Sequence, residues 1–143
     1  MIVLDTNVVS EVMKPSPSAE VLSWIAAYPR ERLFINTITQ AEILFGGQVL
    51  PAGKRRAALQ SDIDAMLSVA FSGRILPFDE QAARAFGRVV AGRLASGRPI
   101  AAFDAQIVAI ALSRGAGVAT RDVRDFEDCG VTVLNPWAGV VRG

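Results

Sequence analysis

The chain has 143 residues, 51% of them hydrophobic and 20% charged, with a net charge of +1. That composition excludes intrinsic disorder, suits one domain, and shows no strongly basic or acidic surface. There is no histidine and a single cysteine, Cys129. This excludes Ser-His-Asp triads, histidine-based zinc sites and internal disulfides, and it suits a reducing cytosol.

In chain order, Met1-Ile2-Val3-Leu4-Asp5 lacks the basic start of a signal peptide. No apolar run approaches the roughly 20 residues needed to span a bilayer. A cytoplasmic protein without membrane attachment is expected. Ile2–Leu4 reads as a short buried strand, and Asp5-Thr6-Asn7 can cap a helix through Met13, stopped by Pro15 and Pro17. Ser18–Tyr28 is a second predicted helix with Val21, Leu22, Trp24, Ile25 and Tyr28 on its apolar face, ended by Pro29. Leu33–Asn36 is a strand. The next helix, Thr37 to about Leu50, is expected to turn Ile38, Ala41, Ile43, Leu44 and Phe45 inward.

After the break at Pro51-Ala52-Gly53, a helix runs to Phe71 and a strand from Arg74 to Phe78. Asp79 caps a helix to Ser96, which Gly97 ends. Phe103–Arg114 is an alanine-rich helix, Gly117–Thr120 a strand, and Val131–Leu134 a last strand stopped by Pro136. Strands alternating with helices predict an α/β fold: a central, mainly parallel sheet flanked by helices, in a single domain over 1–143.

Acids stand at the edges of the most apolar segments: Asp5, Glu42, Asp104 and Asp122. A carboxylate rooted in buried surface must be protonated, paired or bound to a cation. Lys14 and Lys54 are the only lysines, so arginine or a metal has to provide most of the compensation. In an open parallel sheet, ligands bind beyond the carboxyl ends of the strands. Asp5 and Asp122 fall there directly, and Glu42 and Asp104 fall in early helical turns at the same edge.

Each acid also has an ordinary explanation. Asp5 and Asp104 can be N-caps, and Thr39-Gln40-Ala41-Glu42 fits a capping box. A start at Thr37 instead leaves Glu42 free. Asp122 can belong to a solvated turn, as Asp125 and Asp128 are expected to, and Arg121 and Arg124 can neutralise the acids in a structural ion-pair network. Four caps coinciding at one rim is the more strained account. All-oxygen ligands favour Mg²⁺ or Mn²⁺, which can activate water against a phosphodiester. With those acids neutralised by metal, the remaining 15 basic and 10 acidic residues leave a mildly positive surround. Gly115-Ala116-Gly117 lacks the third glycine of a dinucleotide loop, and no Gly-Lys-Ser/Thr occurs.

The series Ile2-Val3-Leu4-Asp5-Thr6-Asn7, Thr39-x-Ala41-Glu42, Asp104-Ala105-x-Ile107-Val108-Ala109 and Thr120-Arg121-Asp122, followed by Asp125-Phe126, resembles the PIN-domain ribonucleases. Within them it is most similar to the VapC-like and FitB-like toxins of bacterial toxin–antitoxin pairs. The resemblance implies a PIN-like fold and a Mg²⁺- or Mn²⁺-dependent endoribonuclease. It also implies an RNA substrate, a homodimer and a cognate antitoxin, with 5′-phosphate and 3′-hydroxyl products. By position, Asp5 and Asp104 correspond to main metal ligands. Glu42 and Asp122 correspond to further ligands, direct or through water, and Thr6, Asn7 and Thr120 to supporting polar groups. Asp122 stands where many relatives have asparagine.

Two other readings stay open at this point: a non-catalytic module whose acids pair with a partner's arginines, and an aspartyl phosphatase. The latter wants Asp-x-Asp and a downstream lysine, whereas Asn7 holds the second position and no lysine follows Lys54. The helices bearing Trp24 and Tyr28, and Leu44, Phe45, Val49 and Leu50, either complete the core or form a groove for an amphipathic partner helix.

Overall fold

The computed structural model describes residues 1–138, so the expected domain extends over 139–143, which lie outside the described residues. Five strands form an all-parallel sheet in the order β3-β2-β1-β4-β5: β1 Ile2–Leu4, β2 Leu33–Asn36, β3 Ile75–Leu76, β4 Gly117–Ala119 and β5 Val133–Leu134. β1 and β2 match the sequence expectation; β3, β4 and β5 are shorter than expected. The helices are α1 Thr6–Val12, α2 Ala19–Ala26, α3 Thr37–Val49, α4 Lys54–Ala65, α5 Glu80–Ala95, α6 Ala102–Ser113 and α7 Val123–Phe126. The expected helix to Phe71 continues beyond α4 as a π-helical turn over Met66–Ala70. The short α7 carries no sequence signal of its own.

The strand order explains where a site can form. From β1 the chain moves outward to β2 and β3, then crosses back to place β4 on the other side of β1. The connections from β1 and β4 therefore leave in opposite directions, and a crevice opens at the carboxyl ends of these two strands. Register places Leu4 beside Ala119, so Asp5 and Thr120 follow at the same level.

Alternation along β1 sends Val3 into one apolar layer and Ile2 and Leu4 into the other. Val3 joins Val89, Ile107, Ile110, Val118 and Phe126 beneath α5 and α6. Ile2 and Leu4 join Val8, Val21, Trp24, Ile35, Ile43 and Ile63 beneath α1 to α4. With apolar layers on both faces, the polar rim is the place left for chemistry.

Two sequence expectations for the helix faces are corrected. In α3, Ile43 is buried and Ile38 half-buried, but Ala41, Leu44 and Phe45 point to solvent; Phe45 is 68% exposed. The apolar run is wider than the stripe the sheet can cover. In α2, Leu22 is exposed, whereas Trp24 is core and half-buried Tyr28 packs beside it with ring centroids 4.7 Å apart. Trp24 therefore cannot line a partner groove.

Candidate active site

Asp5 ends β1 and caps α1. Its Oδ1 accepts from the Thr6 backbone N–H at 2.8 Å and its Oδ2 from the Thr120 hydroxyl at 2.8 Å. It is cap and rim acid at once. Glu42 lies on the second turn of α3, and the capping-box reading fails because the cap is Asn36. The buried amide of Asn36 accepts from the Thr39 N–H at 2.9 Å. The helix thus begins at Thr37, and Glu42 is released to accept from the Thr6 hydroxyl at 2.9 Å. That hydroxyl also stands 2.9 Å from Thr39 Oγ1.

Asp104 lies in the first turn of α6, whose cap position is Ala101, so it does not cap the helix. Asp122 follows β4. Its carboxylate accepts from Asn7 Nδ2 at 3.1 Å, and its backbone N–H donates to Thr120 Oγ1 at 3.1 Å. Asn7 Nδ2 also reaches Thr120 Oγ1 at 3.3 Å. Although Asp122 is exposed, this network holds it; it is not part of a free turn.

Asp5, Glu42, Asp104 and Asp122 line one open cleft of about 430 Å³. Thr6 and Asn7 share it, as do Ser10, Glu11, Lys14, Arg121 and Trp137, none of which the sequence marks as a site residue. Thr120 lies buried beneath. Among the described residues, Glu11 is the one acid there with a cationic partner, Lys14 Nζ at 3.1 Å, which holds its carboxyl below the usual range. Among the described residues no Lys or Arg forms an ion pair with Asp5, Glu42, Asp104 or Asp122. Arg121 and Arg124 therefore do not neutralise them.

The uncompensated charge shows in the carboxyl groups. Burial drives Asp104 up to about 6, reinforced by the charges of Asp5, Asp125, Asp122 and Glu42. Burial also raises Asp5, against the opposing bonds from Thr120 and Thr6, with Glu42 and Asp122 adding repulsion. An all-oxygen, mutually repelling set fits a hard divalent cation. Among the described residues no three carboxylates stand close enough to enclose an ion. Mg²⁺ asks for less, since it takes one or two carboxylates and keeps several waters.

Comparison with known proteins agrees with this geometry. The PIN-domain family profile matches residues 2–130. The VapC ribonuclease Y4jK of Sinorhizobium fredii is 44% identical over 96% of this chain and 98% of its own. Toxin FitB of Neisseria gonorrhoeae is 38% identical over 96% and 99%. A solved structure of FitAB bound to an IR36 DNA fragment superposes with a TM-score of 0.93 at 36% identity, covering 100% of both chains. With a parallel α/β sheet, acids at its switch point and relatives matched over nearly their whole length, the chain belongs to the PIN-domain family, alongside the VapC and FitB toxins.

Proposed function

We propose that this protein is a Mg²⁺- or Mn²⁺-dependent endoribonuclease that acts as the toxin of a toxin–antitoxin pair. The observation that carries the reading is the set of Asp5, Glu42, Asp104 and Asp122 in one cleft without a cationic partner among the described residues. The names of the relatives, a VapC ribonuclease and the toxin FitB, support the same activity.

Asp5 and Asp104 would hold the ion, with Glu42 and Asp122 as further ligands, direct or through water. When bound, such an ion acidifies a water and offsets charge on the phosphoryl oxygens. The chain's own groups set the geometry. Thr120 and the Thr6 N–H each take one side of the Asp5 carboxylate, which fixes its plane. The Thr6 hydroxyl orients Glu42, and the Asn7 amide orients Asp122. These donors are neutral, so they aim the carboxylates without cancelling the negative charge that draws a cation in.

The toxin reading requires a neutralising antitoxin, and the family resemblance implies a homodimer. Phe45 and Phe103, 68% and 57% exposed, give apolar surface beside the cleft that suits such contacts. The test is incubation of the purified protein with total RNA in Mg²⁺, in Mn²⁺ and in excess EDTA, with the ends of the products mapped. Cleavage leaving 5′-phosphates only with metal supports the proposal. Undiminished cleavage in EDTA overturns it. Co-expression with the neighbouring small open reading frame tests the toxin half separately.

A further inference from the structure

Resting on the nuclease reading above, we infer that Arg121, backed by Trp137, grips a backbone phosphate of single-stranded RNA next to the acidic pocket. The cleft is lined by five acids, Asp5, Glu11, Glu42, Asp104 and Asp122, and by two cations, Lys14 and Arg121. A polyanion entering it meets repulsion from the acids, offset along the described lining by those two cations and by a metal when one is bound. Lys14 is engaged, its Nζ lying 3.1 Å from Glu11 Oε1. Arg121 forms no ion pair among the described residues, although Asp122 is its chain neighbour.

The mounting of Arg121 is specific. Its backbone N–H donates to Asn7 Oδ1 at 3.3 Å, tying it to the same amide that orients Asp122. Its guanidinium lies over the indole of Trp137, with Cζ 5.1 Å from the ring centroid. Trp137 packs in turn on the apolar layer beneath α1 to α4. The ring therefore stands between the core and the cation, as a support and not as an open platform for a base. Stacking restricts the rotamers of an otherwise exposed side chain and leaves the planar fork of N–H donors free at its edge. That fork matches two oxygens of one phosphate.

The test uses the full chain with Asp104→Asn to prevent hydrolysis, in Mg²⁺, and a short fluorescein-labelled single-stranded RNA. Adding Arg121→Ala should raise Kd by about tenfold or more, the loss of a charge-assisted contact. The slope of log Kd on log salt should fall by about 0.7, one phosphate contact on a single strand. Arg121→Lys should keep the slope while losing part of the affinity. The unfolding midpoint should not move in either variant, because the side chain is exposed. An unchanged Kd and slope in Arg121→Ala, or no binding by the Asp104→Asn parent, overturns the inference. The wild-type cleavage assay separates the two levels. Cleavage with an unchanged Arg121→Ala slope sinks the phosphate grip alone. No cleavage with a reduced slope sinks the nuclease reading and leaves the grip standing.

Discussion

Arg93 and Asp5 are both buried charges, 5% and 6% exposed, and their surroundings differ in kind. Arg93, on α5, donates from Nε to the Arg98 carbonyl at 2.6 Å. From Nη1 it donates to the carbonyls of Asp125 and Glu127 at 3.0 and 3.1 Å and to Cys129 Sγ at 3.3 Å. No carboxylate pairs with it among the described residues, yet its Nε and Nη1 are met by three backbone carbonyls and a thiol of its own chain. Asp5 has two donors, both neutral, and its nearest charged neighbours are other acids. The positive charge is closed into the structure, whereas the negative one is held in shape and left open. Burial alone therefore does not tell the two apart; what does is compensation that stops short of neutrality, the property that the proposed function puts to use.

Removing each charge should separate the two cases, and the largest effect is on activity. Asp5→Asn keeps the side-chain shape and its acceptor oxygen. It should lower RNA cleavage by about 10³-fold or more, on the order of 4 kcal/mol of barrier. The unfolding midpoint should stay level or rise, because one of several repelling charges has gone. A fully active Asp5→Asn, or one that unfolds, would break the contrast.

Arg93→Met is the converse, and its effect is on stability. It removes the Arg93 donor from three part-buried carbonyls and from the Cys129 thiol, and loosens the segment from Asp125 to Cys129. The expected loss is about 3 kcal/mol, read by urea unfolding at pH 7. A loss under about 0.5 kcal/mol would place Arg93 with ordinary surface arginines.

The difference between the two charges also decides what was legible in the sequence. The acids were legible because each interrupts an apolar run: Asp5 after Ile2-Val3-Leu4, Glu42 within α3, Asp104 at the head of α6. Arg93 was not. It sits in an amphipathic helix among Arg84, Arg88 and Leu94, and its acceptors come from residues up to 36 positions away. The single-domain parallel α/β fold followed from alternation, but the strand order did not, since β1 can be central or at an edge on the same pattern. Nor does a periodic pattern say how much of a helix the sheet can cover, which is why Leu44 and Phe45 emerged exposed. In the sequence Arg121 reads only as a neutraliser, because Trp137, its support, lies 16 positions on and carries no pattern that points back.

The open charge should also leave a pH signature in the metal-free protein. Asp104 titrates near 6 when folded and near the ordinary 3.8 when unfolded. Between those values the folded state binds more protons. Stability is then greatest below the lower value and declines as pH rises through about 6. Undiscounted, the decline between pH 5 and 8 would be about 1.4 kcal/mol; discounted for its half-exposed position it should be about 1 kcal/mol or less. Asp5, raised in the same direction, adds to it. Urea unfolding in EDTA across this range should show the decline in wild type and much less of it in Asp104→Asn. Saturating Mg²⁺ should flatten it, since the ion favours the ionised form. A curve that rises with pH in EDTA would mean the acids are already compensated.

Asp125 belongs to both regions, and it supplies the smallest and sharpest test. Its backbone carbonyl accepts from Arg93 at 3.0 Å, while its side-chain charge is, after Asp5, the second Coulombic contributor raising Asp104. It also lines a small hollow with Arg93 and Asp104, so the two charges face the same residue through different atoms. Asp125→Asn removes the charge and keeps the carbonyl. The Arg93 contacts should therefore survive, and stability at pH 5, where most Asp104 is protonated, should stay within about 0.5 kcal/mol of wild type. At pH 8 the metal-free variant should gain a few tenths of a kcal/mol, about what one partly screened like charge contributes. The midpoint of the pH-dependent decline should move down by about half a pH unit or less. If Asp125→Asn instead loses stability as Arg93→Met does, at every pH and with or without Mg²⁺, the carboxylate itself is part of the Arg93 cage. The closed charge would then depend on an acid after all, and the two solutions would differ in degree only.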